Sequence, residues 1–233
     1  MHEKLRARVL AGNLAIVDAG LVTLTFGNAS AADRAAGVMA IKPSGVAYGA
    51  LRPDDVPVVD LASGAVVSGK QRPSSDTPTH LALYRAFTEV GGVVHTHSPF
   101  ATAWAQALRE LPCLGTTHAD HFHGPVPVTR QLTAAEIESD YEERTGAVIV
   151  ETFAERGLDP LELPAALVAS HGPFVWGAEV EDAVENAVAL EAVAASTYRS
   201  FQLAAGLEGI PAELLEKHFA RKHGAGAYYG QPA

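Results

Sequence analysis

The stretch "GGVVHTHSPF" (91–100) constrains the chain most. Small and β-branched apolar residues run into two histidines two positions apart, and Ser98-Pro99 then stops a strand. Side chains at i and i+2 of a strand share one face. A strand over 93–97 therefore sets His95 and His97 side by side, with Thr96 opposite. Two neutral imidazoles at that spacing can chelate one divalent ion; satisfied core or loop histidines are the plainer alternative. "AALVASHG" (165–172) reads as a second strand ending in a histidine, His171. Three such ligands would leave room for substrate, as catalytic rather than structural zinc does.

The rest of the pattern sets these strands among helices. Residues 4–19 read as an amphipathic helix with Leu5, Val9, Leu14 and Val17 near helical spacing and Gly20 as the stop. "VMAIKPSG" (38–45) is a short strand running into a loop, and 56–69 is two strands joined at Ser63-Gly64. Thr77-Pro78 opens a helix through about Val90, and another follows from about Pro99 to Leu108. Residues 133–156 are helical, in two pieces broken near Gly146, and Thr133 with Glu136 forms a capping box. Residues 179–204 make a long Ala-rich helix and 211–222 a final one. The pattern predicts one domain over 1–233, with α/β layers around a mixed, largely antiparallel sheet.

Composition excludes several functions. With 27 acidic and 17 basic residues the net charge is −10, which argues against a broad basic face for nucleic acid or anionic membranes. No apolar run approaches the ~20 residues of a membrane span. The start "MHEKLRARVL" lacks the apolar block of a signal peptide. The lone Cys113 allows neither an internal disulfide nor a cysteine zinc site, so a cytoplasmic location is the expectation. An anionic small substrate would need a local positive site.

Several polar stretches could supply one. In "RPSSDTPTH" (72–80), Ser74, Ser75 and Asp76 precede a helix whose free N–H groups and dipole suit an anion; ordinary N-capping explains Asp76 or Thr77 equally well. "IKPSG" (41–45) offers Lys42, Ser44 and Gly45 at a strand exit, and "TFGNAS" (25–30) offers Gly27 and Asn28 in what reads as a turn. "GTTHADHFHG" (115–124) holds Asp120, a candidate general acid or base, among His118, His121 and His123. For His121 and His123 a solvated loop is the better reading than a second metal site. The aperiodic tail "HGAGAYYGQPA" carries two tyrosines, which a disordered tail rarely keeps.

Taken together, "LTFGNAS", "IKPSG", "RPSSDTPTHLALYRAF", "VVHTHSPFATAWAQA", "GTTHADHF", "VIVETF", "SHGPFVWG" and "RKHGAGAYYGQ" resemble the class II aldolase/adducin family, over residues 24–231. "HTHS" with "SHG" marks the family broadly, whereas "SSD", "THAD" and "AYYGQ" resemble its pentulose-phosphate 4-epimerase branch. The resemblance implies a three-layer α/β/α sandwich around a largely antiparallel sheet, assembled as a homotetramer with active sites shared between subunits. It implies Zn2+, with Mn2+ or Co2+ as possible substitutes, held by His95, His97 and His171 with Asp76 at or beside the metal. It puts Gly27, Asn28, Lys42, Ser44, Gly45, Ser74 and Ser75, together with His218 and Arg221, on a sugar-phosphate substrate. Asp120 and Tyr229 become the acid–base pair, with Tyr229 on a tail (about 223–233) docked on a neighbouring subunit and His218 and Arg221 near the same interface. The implied reaction is interconversion of L-ribulose 5-phosphate and D-xylulose 5-phosphate in pentose catabolism. The C4 proton is not acidic, so C4 would invert by retro-aldol cleavage of C3–C4 and recombination on the opposite face, with zinc stabilising the enediolate. A zinc aldolase of fuculose- or rhamnulose-phosphate type is the nearest alternative; a Glu in place of Asp76 would fit it. A non-catalytic scaffold like the adducin head is an alternative of another class. This chain departs from the family pattern at His121 and His123, where tyrosines are common.

Overall fold

The structure, a computed structural model, describes residues 2–228. Seven strands, β1 (Asn28–Asp33), β2 (Val38–Ile41), β3 (Val58–Asp60), β4 (Val66–Ser68), β5 (Gly92–His95), β6 (Ala165–Val168) and β7 (Gly172–Gly177), form one antiparallel sheet in the order β4-β3-β2-β1-β5-β7-β6. The helices are α1 (Glu3–Asp18), α2 (Thr77–Ala86), α3 (Pro99–Gln106), α4 (Thr116–Ala119), α5 (Ala134–Glu138), α6 (Tyr141–Arg156), α7 (Val180–Leu203) and α8 (Ala212–His223).

Helices α1, α3 and α7 cover one face of the sheet, and α2 with α6 covers the other. Cross-strand partners share a face, so Asn28, His95 and Phe174 form one row on the α2 side and Ser30, Val93 and Trp176 the next. Ser30 Oγ meets His80 Nδ1 at 2.7 Å and the Tyr84 hydroxyl at 2.8 Å, which ties α2 to the sheet centre. Phe87, Phe153 and Trp176 pack with ring centroids 5.2–5.4 Å apart at the far end of this layer. On the other face the buried Asn13 of α1 donates to the Ala29 carbonyl at 2.9 Å and accepts from the Ala29 N–H at 2.9 Å. The amide thus satisfies both backbone groups of Ala29, one residue outside the β1–β2 pairing.

The sandwich matches expectation, with local differences. Strand β5 ends at His95, so His97 lies in the following loop. "TFGNAS" is the entry into β1, and "HGPFVWG" is a full strand, β7. α2 ends at Ala86 rather than near Val90. The break in 133–156 falls at residues 139–140, after the α5 capping box and before α6. Gly146 lies inside α6, where an added Cβ would come within 2.5 Å of the Ala82 side chain of α2. Leu14 and Val17 of α1 are exposed; Leu5, Val9 and Ile16 carry its buried face. No described helix is long and apolar enough to cross a membrane.

Candidate active site

His95 comes from the end of β5, His97 from the loop after it and His171 from the turn between β6 and β7. One ring nitrogen from each lies within 4.8 Å of the others, and no other such cluster exists among the described residues. His95 Nδ1–H donates to the Pro173 carbonyl at 2.9 Å, which leaves the Nε2 lone pair free. That Nε2 lies 3.1 Å from His97 Nε2, close to the ~3.3 Å between ligands of a tetrahedral ion with ~2.0–2.1 Å bonds. Phe174 stacks on His95 at 4.1 Å and fixes its plane. Burial holds the His95 imidazole down to about 3 and lowers His97 and His171 as well. All three rings are therefore neutral near pH 7, as ligands must be. His171 Nδ1 is buried without a hydrogen-bond partner. The donor set fits a divalent metal of the zinc class.

Asp76 stands beside this cluster, at the N-terminus of α2. Its carboxylate makes no capping bond. It accepts instead from Asn28 Nδ2 at 2.6 Å. Burial pushes its pKa up, but the nearby His95 and His80, the Asn28 hydrogen bond and His171 outweigh that and hold it below the usual carboxylate range. The ordinary capping reading fails here, since the side chain is turned into the site.

Two loops form the opposite wall. The Ser44 N–H donates to the Arg72 carbonyl at 2.9 Å and the Ser74 N–H to the Lys42 carbonyl at 3.0 Å, so "IKPSG" and "RPSSD" pair as a two-stranded cradle. Thr25, Phe26, Gly27, Lys42, Ser44, Gly45, Ser74, Ser75, Asp76 and the three histidines line one cleft of about 230 Å³. Buried Lys42 sends Nζ over the Tyr48 ring at 4.6 Å, and burial lowers its pKa against the pull of Asp76. Gly27 has φ +77°, and a Cβ there would lie 2.6 Å from the His95 carbonyl oxygen, so only glycine fits. Tyr48, which nothing in its local sequence pattern singled out, donates its hydroxyl to the Gly27 carbonyl at 2.8 Å and holds that turn.

Residues 7–198 match the Class II Aldolase and Adducin N-terminal domain. The chain belongs to the class II aldolase/adducin family. It is 52% identical over 229 residues, 98% of this chain and 99% of the relative, to L-ribulose-5-phosphate 4-epimerase UlaF of Salmonella paratyphi A, with the same figures for UlaF of Salmonella typhi. Among solved structures it resembles an L-fuculose 1-phosphate aldolase with a TM-score of 0.77 at 24% identity, covering 92% of this chain and 94% of that one. It also resembles L-fuculose-1-phosphate aldolase from Thermus thermophilus with a TM-score of 0.66 at 25% identity, covering 88% and 100%.

The remaining predicted site residues of this class II aldolase-family chain lie elsewhere. Asp120, at the end of α4, accepts from Arg221 Nε at 2.9 Å and Nη2 at 2.6 Å, and meets His218 Nδ1 at 3.1 Å. Burial raises its pKa, and the Arg221 and His218 contacts more than reverse that, so it is held ionised. Its neighbour His121 lines a cavity with Pro164, Trp176 and Gly177, and the His123 N–H donates to the Glu162 carbonyl. The segment is anchored where β6 begins and β7 ends. His171 is at the other end of β7, whose six residues span roughly 17 Å. Asp120, His218 and Arg221 do not line the histidine cleft of their own chain. Tyr229 lies outside the described residues.

Proposed function

We propose that this chain interconverts L-ribulose 5-phosphate and D-xylulose 5-phosphate by breaking and remaking the C3–C4 bond. The observation that carries the reading is 52% identity across nearly the full length of both chains to proteins named for that reaction. The cleft supports it chemically. The Ser44, Gly45, Ser74 and Ser75 cradle offers hydroxyl and N–H donors to a phosphate, with the Lys42 ammonium beside it. A zinc-class ion on His95, His97 and His171 would serve as Lewis acid for the charge that develops on the ketose oxygens as the bond breaks. Asp76 stands ionised beside the three imidazoles, held so by His95 and His80 together with the Asn28 hydrogen bond.

Cleavage requires that the C4 hydroxyl lose its proton. The C3–C4 electron pair then moves toward the C2 carbonyl, leaving the enediolate of dihydroxyacetone and glycolaldehyde phosphate. The phosphate cradle retains the second fragment while its aldehyde turns over. Reclosure on the other face needs a proton donor there, so the two faces call for two groups, Asp120 and Tyr229. Within one chain Asp120 belongs to the far end of β7. Asp120 is therefore assigned to a neighbouring copy in a cyclic tetramer, with His218 and Arg221 setting its carboxylate, and the family resemblance assigns Tyr229 to a neighbouring copy as well.

Purified metal-loaded protein given L-ribulose 5-phosphate should produce D-xylulose 5-phosphate without free glycolaldehyde phosphate. Accumulation of the fragment would make the chain an aldolase, and neither product would overturn the reading.

A further inference from the structure

His97 is less firmly anchored than His95, which the Pro173 carbonyl and the Phe174 ring fix in place. Among the described residues no carbonyl holds the His97 ring. It rests near Phe26, centroids 6.0 Å apart, and against the other two imidazoles. Its aim therefore depends on the backbone of the link 96–98 between β5 and α3. The strand end of that link is loosely held: the Thr96 N–H reaches the Pro173 carbonyl at 3.5 Å, and the Ser98 N–H reaches Thr96 Oγ1 at 3.4 Å.

The helix end is held differently. Ser98, the residue before α3, makes no side-chain capping bond, and Pro99 has no N–H to offer. The two donors left in the first turn are the Phe100 and Ala101 N–H groups. Both go to the Glu191 carboxylate of α7, at 2.8 Å to Oε1 and 2.9 Å to Oε2. A carboxylate that turns both oxygens to a helix N-terminus makes a short, charge-assisted grip. Glu191 stands on a firm base, since Leu190, Val193 and Ala194 beside it belong to the core. We propose that Glu191 is a positioning residue for His97: through the first turn of α3 it holds the link, and with it this imidazole, in line with His95 and His171. The inference rests on reading the histidine cleft as a metal site, whatever reaction that metal serves. A plain helix cap would stabilise α3 without reaching His97, so the metal separates the two roles.

Zn2+ affinity of the metal-free full-length protein, measured by competition with a chromophoric chelator, should fall roughly tenfold in Glu191→Gln, whose amide has one acceptor oxygen for two N–H groups. In the His97→Ala background, where His95 and His171 remain, the same substitution should leave the residual affinity unchanged. The visible bands of the Co2+-loaded protein, which report ligand geometry, should shift in Glu191→Gln. Trp104→Phe removes another tie between α3 and α7, the Nε1–H bond to the Ala194 carbonyl at 3.1 Å. It should lower the melting temperature of the metal-free protein and leave Zn2+ affinity within about twofold. Glu191→Asp keeps the charge but is too short to hold both donors, and it carries the same comparison if Glu191→Gln does not fold. Wild-type protein that binds no Zn2+ would overturn the metal reading and this inference with it. Wild-type affinity in Glu191→Gln, an equal loss with and without His97, or an equal loss in Trp104→Phe would overturn the inference alone and leave Glu191 a helix cap.

Discussion

His97 is the most informative single residue of the cleft. It is exposed and past the strand, so it adds little to the core, yet its Nε2 stands 3.1 Å from that of His95. His97→Ala should leave the melting temperature of the metal-free protein nearly unchanged, while bound metal and turnover fall together, turnover by about a thousandfold if the lost Lewis acid supplied several kcal/mol. Metal analysis alongside calorimetry separates this from misfolding; full metal content in the variant would exclude His97 as a ligand. Asp76 tests which family chemistry the cleft runs. Lengthening it to Glu within the Asn28 hydrogen bond should raise glycolaldehyde phosphate release relative to epimerisation, read as the ratio of the two products. The histidines were legible in the sequence because few side chains bind a divalent ion and all three stand at or just past strand ends; that His97 sits in the loop after β5 and His171 in the turn before β7 was not, because strand ends are set by long-range pairing. Tyr48 was not, because its role is a hydrogen bond to the Gly27 carbonyl 21 residues away in the chain, and nothing local records a long-range acceptor.

At the level of elements, those with strong periodicity and capping signals were readable: α7, the capping box of α5, the hairpin of β3 and β4. β1 and β7 were harder to read. β1 is "NASAAD", small and polar on one face because α2 fills that space with His80 and Tyr84, so its side chains look like turn chemistry. β7 opens with Gly172-Pro173, which reads as a stop until Thr96 and His95 are seen to use the Pro173 carbonyl. Gly146 misled in the same way, since a glycine within a helix signals a break unless another helix presses on it. The Gly146→Ala substitution forces a Cβ within 2.5 Å of Ala82 and 3.0 Å of the Thr79 carbonyl. It should destabilise the fold by about 1–3 kcal/mol in denaturant titration. Because α2 is the helix pushed aside, metal affinity should weaken as well, through Asp76.

Across the whole molecule, the length of β7 separates the histidine cleft from the Asp120 segment. His171 precedes β7, whereas the Asp120 segment is fastened near its far end. Subunits carrying His97→Ala and subunits carrying Asp120→Asn should each be nearly inactive. If each cleft takes its Asp120 from the next copy in a ring, unfolding and reassembling an equal mixture should restore about a quarter of wild-type activity, since one in four random pairings joins an intact cleft to an intact carboxylate. Mixed assemblies as inactive as their parents would place both groups in one chain. The three imidazoles have a further consequence that concerns folding rather than catalysis. They meet only when β5 and the β6–β7 turn are both in place, so an ion bound there would be a rivet that the unfolded chain, with only the local His95–His97 pair, holds far more weakly. Each tenfold rise in free metal above the dissociation constant would then add up to about 1.4 kcal/mol to the folded state, and the heat tolerance of this protein would become a gauge of the metal supply around it.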